Sequence, residues 1–333
     1  MNILVVGGAG YIGSHMVKRL TRAGHQVTTL DNLSTGYADA VLHGPLVIGD
    51  MADTLLLDRL FNSTRFDAVM HFAAFSLVGE SMLDPAKYYR NNVSHTLNLL
   101  DAMVRHGVLD FIFSSTAATF GEPVRVPMDE SHPQHPINPY GRSKWMVEQL
   151  LEDYDRAYGL KSTCLRYFNA AGADPEGELG ERHTPETHLI PLVLQAASGR
   201  RPSITVFGTD YDTPDGTCIR DYIHVQDLCE AHLASLERMR ESGISARYNL
   251  GNGQGFSVRE VLETARRVTG RAIKVEYGPR RAGDPARLLA DASAARTGLG
   301  WTPKHDSLED IIRHAWAWEL RQCQNDEAWR KHP

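Results

Sequence analysis

Tyr140 and Lys144 stand four residues apart in "NPYGRSKWMVEQLL", behind a proline at the position where proline opens helices, so both side chains fall on one helix face. A phenol beside an ammonium group is a proton-transfer pair. Free tyrosine titrates near pH ~10, and work as a base near neutrality asks for a drop of roughly 3 units, or about 4 kcal/mol. A further hydroxyl is at hand in "FIFSSTAATFGEP", which sets Ser114, Ser115 and Thr116 directly behind an apolar run. Hydroxyls of this kind also end ordinary strands by bonding local backbone, and a Tyr–Lys pair at this spacing is common on solvated helices. Chemistry follows only if other elements bring these groups to one cleft.

The start of the chain supplies such a cleft. In "NILVVGGAGYIGSH", Gly7, Gly10 and Gly13 fit one dinucleotide-binding spacing and Gly8, Gly10 and Gly13 the other. In either register the first glycine permits a tight turn, the next admits a pyrophosphate to the backbone amides, and the last lets helix and strand pack closely at a positive helix end. Asp31 closes the next strand, "QVTTLD", where a carboxylate accepts from the adenosine ribose hydroxyls. No Lys or Arg occurs between Ala23 and Asp58, so a 2'-phosphate would meet a carboxylate and no local cation, and NAD rather than NADP is expected. Asp50, ending "PLVIGD", either reaches the adenine or caps the following helix.

These groups require an alternation of buried strands and helices. "NILVV", "QVTTLD", "PLVIGD", "DAVMHFAA", "DFIFSST" and "STCLRYFNAAG" read as strands, separated by helical segments such as Tyr11 to Ala23, Pro85 to His106 and Pro139 to Tyr158. The fold class expected is α/β, a doubly wound parallel sheet with a smaller mixed α/β substrate-binding part. The Gly-, Pro- and charge-rich "GADPEGELGERHTPETH" marks a boundary, giving residues 1–172 as the cofactor domain and 173–333 as mainly the substrate part. A strand near 247–251 is expected to return to the first sheet, helices are expected at Leu189 to Ser198 and from near Val258, and Ser257 with Glu260 forms a capping box.

The bulk composition agrees with a soluble enzyme of two units. The 333 residues carry 42% hydrophobic and 23% charged side chains and a formal charge of −6, which disfavours general nucleic-acid binding. Four well-separated cysteines form neither a metal pattern nor a redox pair, as expected of free thiols in a reducing cytoplasm. Fifteen scattered histidines show no helix-spaced metal pair, so no metal is expected. No apolar run is long enough to span a bilayer, and "NILVV" has no charged leader.

The glycine turn, the hydroxyl strand end and the Tyr–Lys helix, in this order, resemble the extended short-chain dehydrogenase/reductase family, whose catalytic set is a Ser or Thr, a Tyr and a Lys. "DNLSTG", "VGES", "YYRNNV", "RYFNAAGADP", "PETHLIP", "GTCIRDYIHVQDL", "YNLGNG" and "PRRAGDPARL" extend the resemblance over nearly the whole chain, to the UDP-glucose 4-epimerases. The resemblance implies Tyr140 as base, Lys144 beside it and Thr116 on the reacting hydroxyl. It implies tightly held NAD and reversible interconversion of UDP-galactose and UDP-glucose through a 4-keto intermediate that turns about its pyrophosphate. An epimerase of UDP-N-acetylhexosamines or UDP-pentoses is the alternative.

By the same resemblance the cofactor meets Gly7, Gly10, Tyr11, Ile12, Gly13, Asp31, Asn32, Asp50, Met51, Phe72, Ala73, Ala74, Asn91, Tyr140, Lys144 and Phe168. The substrate meets Thr116, Asn169, His188, Leu189, Thr205, Phe207, Arg220, Arg281 and Asp284. Arg220 and Arg281 would clamp the pyrophosphate with forked hydrogen bonds; their bland alternative is salt bridging with Asp221 and Asp284. Dehydratases of the same fold carry acids beside the strand-end threonine, where this chain has Ala117 and Ala118. The chain departs from some relatives at Ser76, Phe120 and His188, and Leu288 falls at the position that sets pocket width. A cytoplasmic homodimer is expected. A nucleotide-sensing regulator without chemistry and a purely structural subunit are weaker readings, because Tyr140 and Lys144 are both present.

Overall fold

The computed structural model describes residues 1–281 and 283–325; the last eight positions of the expected substrate part lie outside them. Along the first half run β1 (Asn2–Val6), α1 (Tyr11–Arg22), β2 (Gln26–Asp31), β3 (Leu46–Ile48), α2 (Thr54–Ser63) and β4 (Ala68–His71). Then follow α3 (Val78–Leu83), α4 (Pro85–Tyr89), α5 (Thr96–Arg105), β5 (Asp110–Thr116), α6 (Pro139–Tyr158), β6 (Lys161–Tyr167) and β7 (Asn169–Ala171). The second half holds α7 (Leu189–Ser198), β8 (Ile204–Phe207), β9 (Ile219–His224), α8 (Val225–Ser242), β10 (Ala246–Leu250), β11 (Gly255–Ser257) and α9 (Val258–Thr269). It closes with β12 (Val275–Gly278), β13 (Arg287–Leu288), α10 (Ser293–Leu299) and α11 (Leu308–Asn325).

Seven strands form one parallel sheet in the order β10-β6-β5-β4-β1-β2-β3. Its central strands are buried almost throughout because helices cover both faces. One face buries Ile3, Val5, Met16 and Leu20 together with Leu228, Leu236 and Trp301, and the other buries Leu4, Val6, Leu57, Leu99, Phe111 and Leu151. The strand order reverses between β1 and β4, the place where doubly wound sheets open a crevice at their carboxyl ends. Helix α8 packs on this sheet as well, so more than β10 of the second half joins the large layer. The remaining strands form a four-stranded sheet and a β8–β12 pair, which share a core with α7, α9 and α11.

Three local readings need correction. The segment from Pro85 to His106 is not one α-helix, because residues Arg90–His95 widen into π-helical turns between α4 and α5. "STCLRYFNAAG" is not one strand either: it breaks at Phe168, and β7 leaves to pair with β9. Asp50 does not cap α2; Asp53 does, accepting the Leu56 amide at 2.9 Å.

Candidate active site

A groove at the carboxyl ends of the central strands is lined by Gly7, Gly10, Asp31, Asn32, Asp50, Met51, Phe72, Ala73, Ala74 and Asn91. A Cβ on Gly13 would lie 2.1 Å from the Gly7 carbonyl oxygen, so the turn and the first turn of α1 close on each other only with glycine there. Each Asp31 oxygen accepts one backbone amide, from Ala9 at 2.9 Å and from Leu33 at 2.8 Å, and keeps acceptor capacity toward the groove. Burial raises the Asp31 pKa in spite of these two bonds. Asn32 donates to Asp50 at 2.6 Å, and Asp50 also accepts the Ala52 amide at 2.7 Å. Tyr11 and Ile12 open α1, with the Tyr11 hydroxyl turned away to the Gly172 carbonyl at 2.7 Å. A glycine cradle at a helix start followed by an acceptor at the ribose distance along the chain fits a dinucleotide.

Thr116, Tyr140 and Lys144, the expected proton-transfer groups, are held by β5 and α6. Asn138 caps α6 by accepting the Gly141 amide at 2.8 Å, and a Cβ on Gly141 would sit 2.3 Å from the Ala118 carbonyl oxygen. Glycine at this position thus lets the helix start touch the turn after β5, which places Tyr140 against Thr116. The Thr116 hydroxyl beside the phenol lowers its pKa, but burial is the larger effect and leaves Tyr140 above its usual value. Lys144 donates to the Ser114 carbonyl at 2.7 Å and lies 4.7 Å from the Phe113 ring centre. Burial pulls its pKa down to about 7, against the opposing pull of Glu148. The chain by itself therefore does not lower the tyrosine, contrary to the simple picture of a lysine cation beside a phenol.

Ser114 and Ser115 have structural partners. Ser114 Oγ lies 3.4 Å from Nε2 of His232, whose Nδ1 faces the Leu228 carbonyl at 2.8 Å. Ser115 donates to Glu148 at 2.5 Å, and Glu148 also takes the Arg166 guanidinium at 2.5 Å, with both charged side chains buried. Asn92, which sequence reasoning missed, bonds both backbone groups of Phe75 at 3.0 Å and Ser143 at 3.1 Å, tying the groove wall to α6. Its signal was the second Asn of "YYRNNV", inside the π-helical turns.

On the far side, Thr205 and Phe207 lie on β8, and Arg281 stands 4.5 Å over the Phe207 ring. Arg220 pairs with Asp284 and donates to the Ile219 carbonyl at 2.8 Å. Asp221 instead turns inward, accepting the amides of Asn252, Gly253 and Ala290 at 2.8, 3.0 and 3.1 Å. Asn169 donates to the Asp221 carbonyl at 2.8 Å. His188 precedes α7, which opens at Leu189, and directs Nδ1 to Glu181 at 2.7 Å. Phe168 sits at the break between β6 and β7, its amide on the Leu250 carbonyl at 3.4 Å.

Residues 3–251 match the NAD dependent epimerase/dehydratase family. The chain belongs to this family. Within the epimerase/dehydratase family, the UDP-glucose 4-epimerase of Halalkalibacterium halodurans is 55% identical over 96% of this chain and 95% of its own length. The crystal structure of UDP-glucose 4-epimerase from Brucella ovis in complex with NAD superposes with a TM-score of 0.93 at 51% identity, covering 95% of this chain and 97% of that one. The enzyme from Bifidobacterium longum, in complex with NAD+ and UDP, gives 0.91 at 38% identity over 96% of this chain and 98% of its own.

Proposed function

We propose that this chain interconverts UDP-galactose and UDP-glucose by 4-epimerisation with NAD held in the glycine-turn groove. The observation that carries the reading is the Tyr140–Thr116 contact at the carboxyl end of β5, with Lys144 one turn along α6 and no acid in Ala117 or Ala118. Relatives of half-identical sequence named for this activity support it. NAD would lie across Gly7, Gly10, Gly13 and Asp31, and would supply the hydride acceptor and donor at the sugar's C4.

The rest falls to the chain's own residues. Tyr140 takes the proton of the 4-hydroxyl and returns it, and Thr116 donates toward the phenol oxygen, favouring the deprotonated form. Lys144, held by the Ser114 carbonyl and only partly protonated near neutrality, reaches the nicotinamide ribose. Arg220 and Arg281 hold the pyrophosphate, with Asn169 beside them, while Phe207 and Asp284 face the uridine. For Arg220 this means exchanging its Asp284 contact for phosphate oxygens. His188, Leu189 and Thr205 complete the substrate wall. Ala117 and Ala118 offer no base to expel water from a 4-keto sugar, so return to the epimer is the open exit.

Residues 1–172 with 246–250 would form the cofactor part and most of 173–325 the substrate part. A homodimer belongs to the same proposal, supported by Val78, Met82, Leu83, Met146 and Tyr158 exposed on the neighbouring helices α3 and α6; light scattering should return twice the chain mass. The cytoplasmic placement rests on the four buried free thiols. Among the described residues no helix is long and apolar enough to cross a membrane.

The decisive experiment measures conversion of UDP-galactose by purified protein without added NAD, beside Tyr140→Phe. Wild type should convert and the variant should lose at least ~10²-fold in turnover, the usual scale of a lost acid–base group. Activity confined to UDP-N-acetylhexosamines or UDP-pentoses would keep the mechanism and overturn the substrate. An unimpaired Tyr140→Phe would overturn the base.

A further inference from the structure

The segment from Glu181 to His188 gathers four ligand-type side chains outside the groove. His188 Nδ1 lies 2.7 Å from Glu181 and 3.2 Å from Glu186, and His183 Nδ1 lies 3.1 Å from Glu181 and 3.6 Å from Glu186. One ligand atom from each lies within 4.8 Å of all the others. Both carboxylates are only 6% exposed. A tetrahedral zinc with bonds of about 2.0–2.2 Å sets its ligand atoms roughly 3.3–3.6 Å apart, close to the Glu181–His183 separation and to the two Glu186 separations, which use one carboxylate oxygen each. His183 Nδ1 is buried and makes no hydrogen bond of acceptable angle, although two carboxylates lie beside it.

We propose that Glu181, His183, Glu186 and His188 form a binding site for a zinc-type divalent cation. Two imidazoles and two carboxylates are a donor set for zinc and its first-row neighbours, whereas magnesium and calcium favour oxygen alone. Two carboxylates and two neutral imidazoles carry a charge of −2, which one divalent ion balances. Outer contacts orient the ligands: the Thr187 and His188 amides donate to Glu186 at 2.7 and 2.8 Å. By contrast, the cluster of Asp174, Glu176 and Glu178 already holds Lys18 Nζ at 2.6 to 3.0 Å.

The place suggests a brace rather than a reaction centre. Arg182 forks onto Asp39 at 3.0 and 2.5 Å and stacks 4.0 Å over Tyr37, both on the segment after the Asp31 turn. Trp318 of α11 donates to the Glu181 carbonyl at 3.0 Å, and α7 begins directly after His188. An ion here would lock one loop against the cofactor side, α7 and α11 together. The site was invisible as a motif because Glu-x-His-x-x-Glu-x-His has no helical period and closes only through the loop's path.

The test uses the protein with its retained cofactor, stripped with EDTA, dialysed against buffered micromolar zinc, gel-filtered and assayed for metal by mass spectrometry. About one zinc per chain is expected, with a rise in melting temperature. The Glu181→Gln/His183→Ala variant should bind at least 100-fold more weakly while keeping its circular dichroism. If that variant does not fold, X-ray absorption on zinc-loaded wild type decides, and the expected shell is nitrogen and oxygen at about 2.0–2.2 Å. No retained zinc, equal retention by the folded variant, a sulfur ligand, or equal preference for magnesium would each overturn the site. None of these readings depends on the epimerase activity.

Discussion

Thr116 Oγ1 accepts the Ala118 amide at 3.2 Å and lies beside the Tyr140 phenol, so one hydroxyl shapes the turn after β5 and acts on the proposed base. Burial raises the phenol and Thr116 is what opposes it, which makes Thr116 the chain's own lever on the proposed proton transfer. Thr116→Val removes the hydroxyl while nearly preserving shape. Its turnover should fall ~10²-fold or more, the scale of a misplaced acid–base partner. Thr116→Ser, which keeps the oxygen, should recover most of that loss. A purely structural role would show instead as equal thermal destabilisation in Val and Ser variants with turnover tracking folded fraction. Tyr140, Lys144 and Thr116 were legible because helix period and strand end fix where such groups point. The direction of the Tyr140 shift was not, since it depends on how completely neighbouring elements exclude water.

Helix α6 carries a third group on the same face, Glu148, one turn beyond Lys144. In sequence a glutamate within "VEQLLEDYDR" reads as part of a solvated face. The structure buries it, because Ser115 on β5 and Arg166 on β6 stand opposite, and neither partner is near it in the chain. Arg166 is further covered by the Phe120 ring at 5.3 Å, a position where a phenol would have added another polar group to seat. Glu148 thus fastens the helix that carries Tyr140 and Lys144 to the two strands beneath it. Glu148→Gln should cost about 3–5 kcal/mol in urea unfolding, since it strands a buried guanidinium. Replacing both members, Glu148→Met with Arg166→Leu, should restore most of that stability, because a buried ion pair gains little over packed apolar residues once both charges are gone. A single variant as stable as wild type would mean that the pair is solvated in solution. The same limit hid the break at Phe168 and the cap at Asp53. Apolar runs reveal strands, but which sheet a strand joins and which carboxylate turns onto a helix end are settled by partners far along the chain.

At the scale of the whole molecule, the seven-stranded sheet was readable because its buried strands are short apolar runs separated by periodic helices. Apart from β9, the smaller sheets pair short, half-buried strands whose pattern says little. Burying so large a core also encloses histidines. Desolvation lowers His15 to about 4, His71 to about 3, His224 to about 2 and His232 to about 4. These groups stay neutral in the folded chain and take up protons near pH ~6.5 once it unfolds. Their stabilisation is therefore complete above that pH and is lost progressively as pH falls from there toward the folded values. Asp221 works the other way: burial raises it to about 6, so the folded chain binds its proton first and gains stability below that point. Across this window the four lowered histidines favour the unfolded state, while Asp221 and the raised His183 and His188 favour the folded one, and the unfolding free energy should drop on the order of 2–3 kcal/mol between pH 6.5 and 5.5. Urea titrations at the two pH values measure the drop directly. His71→Gln, placed between Phe111 and Phe113, should shrink it by about one proton's share. A stability that does not change across this window would show that water reaches these histidines, and with it the core of the sheet that positions Tyr140.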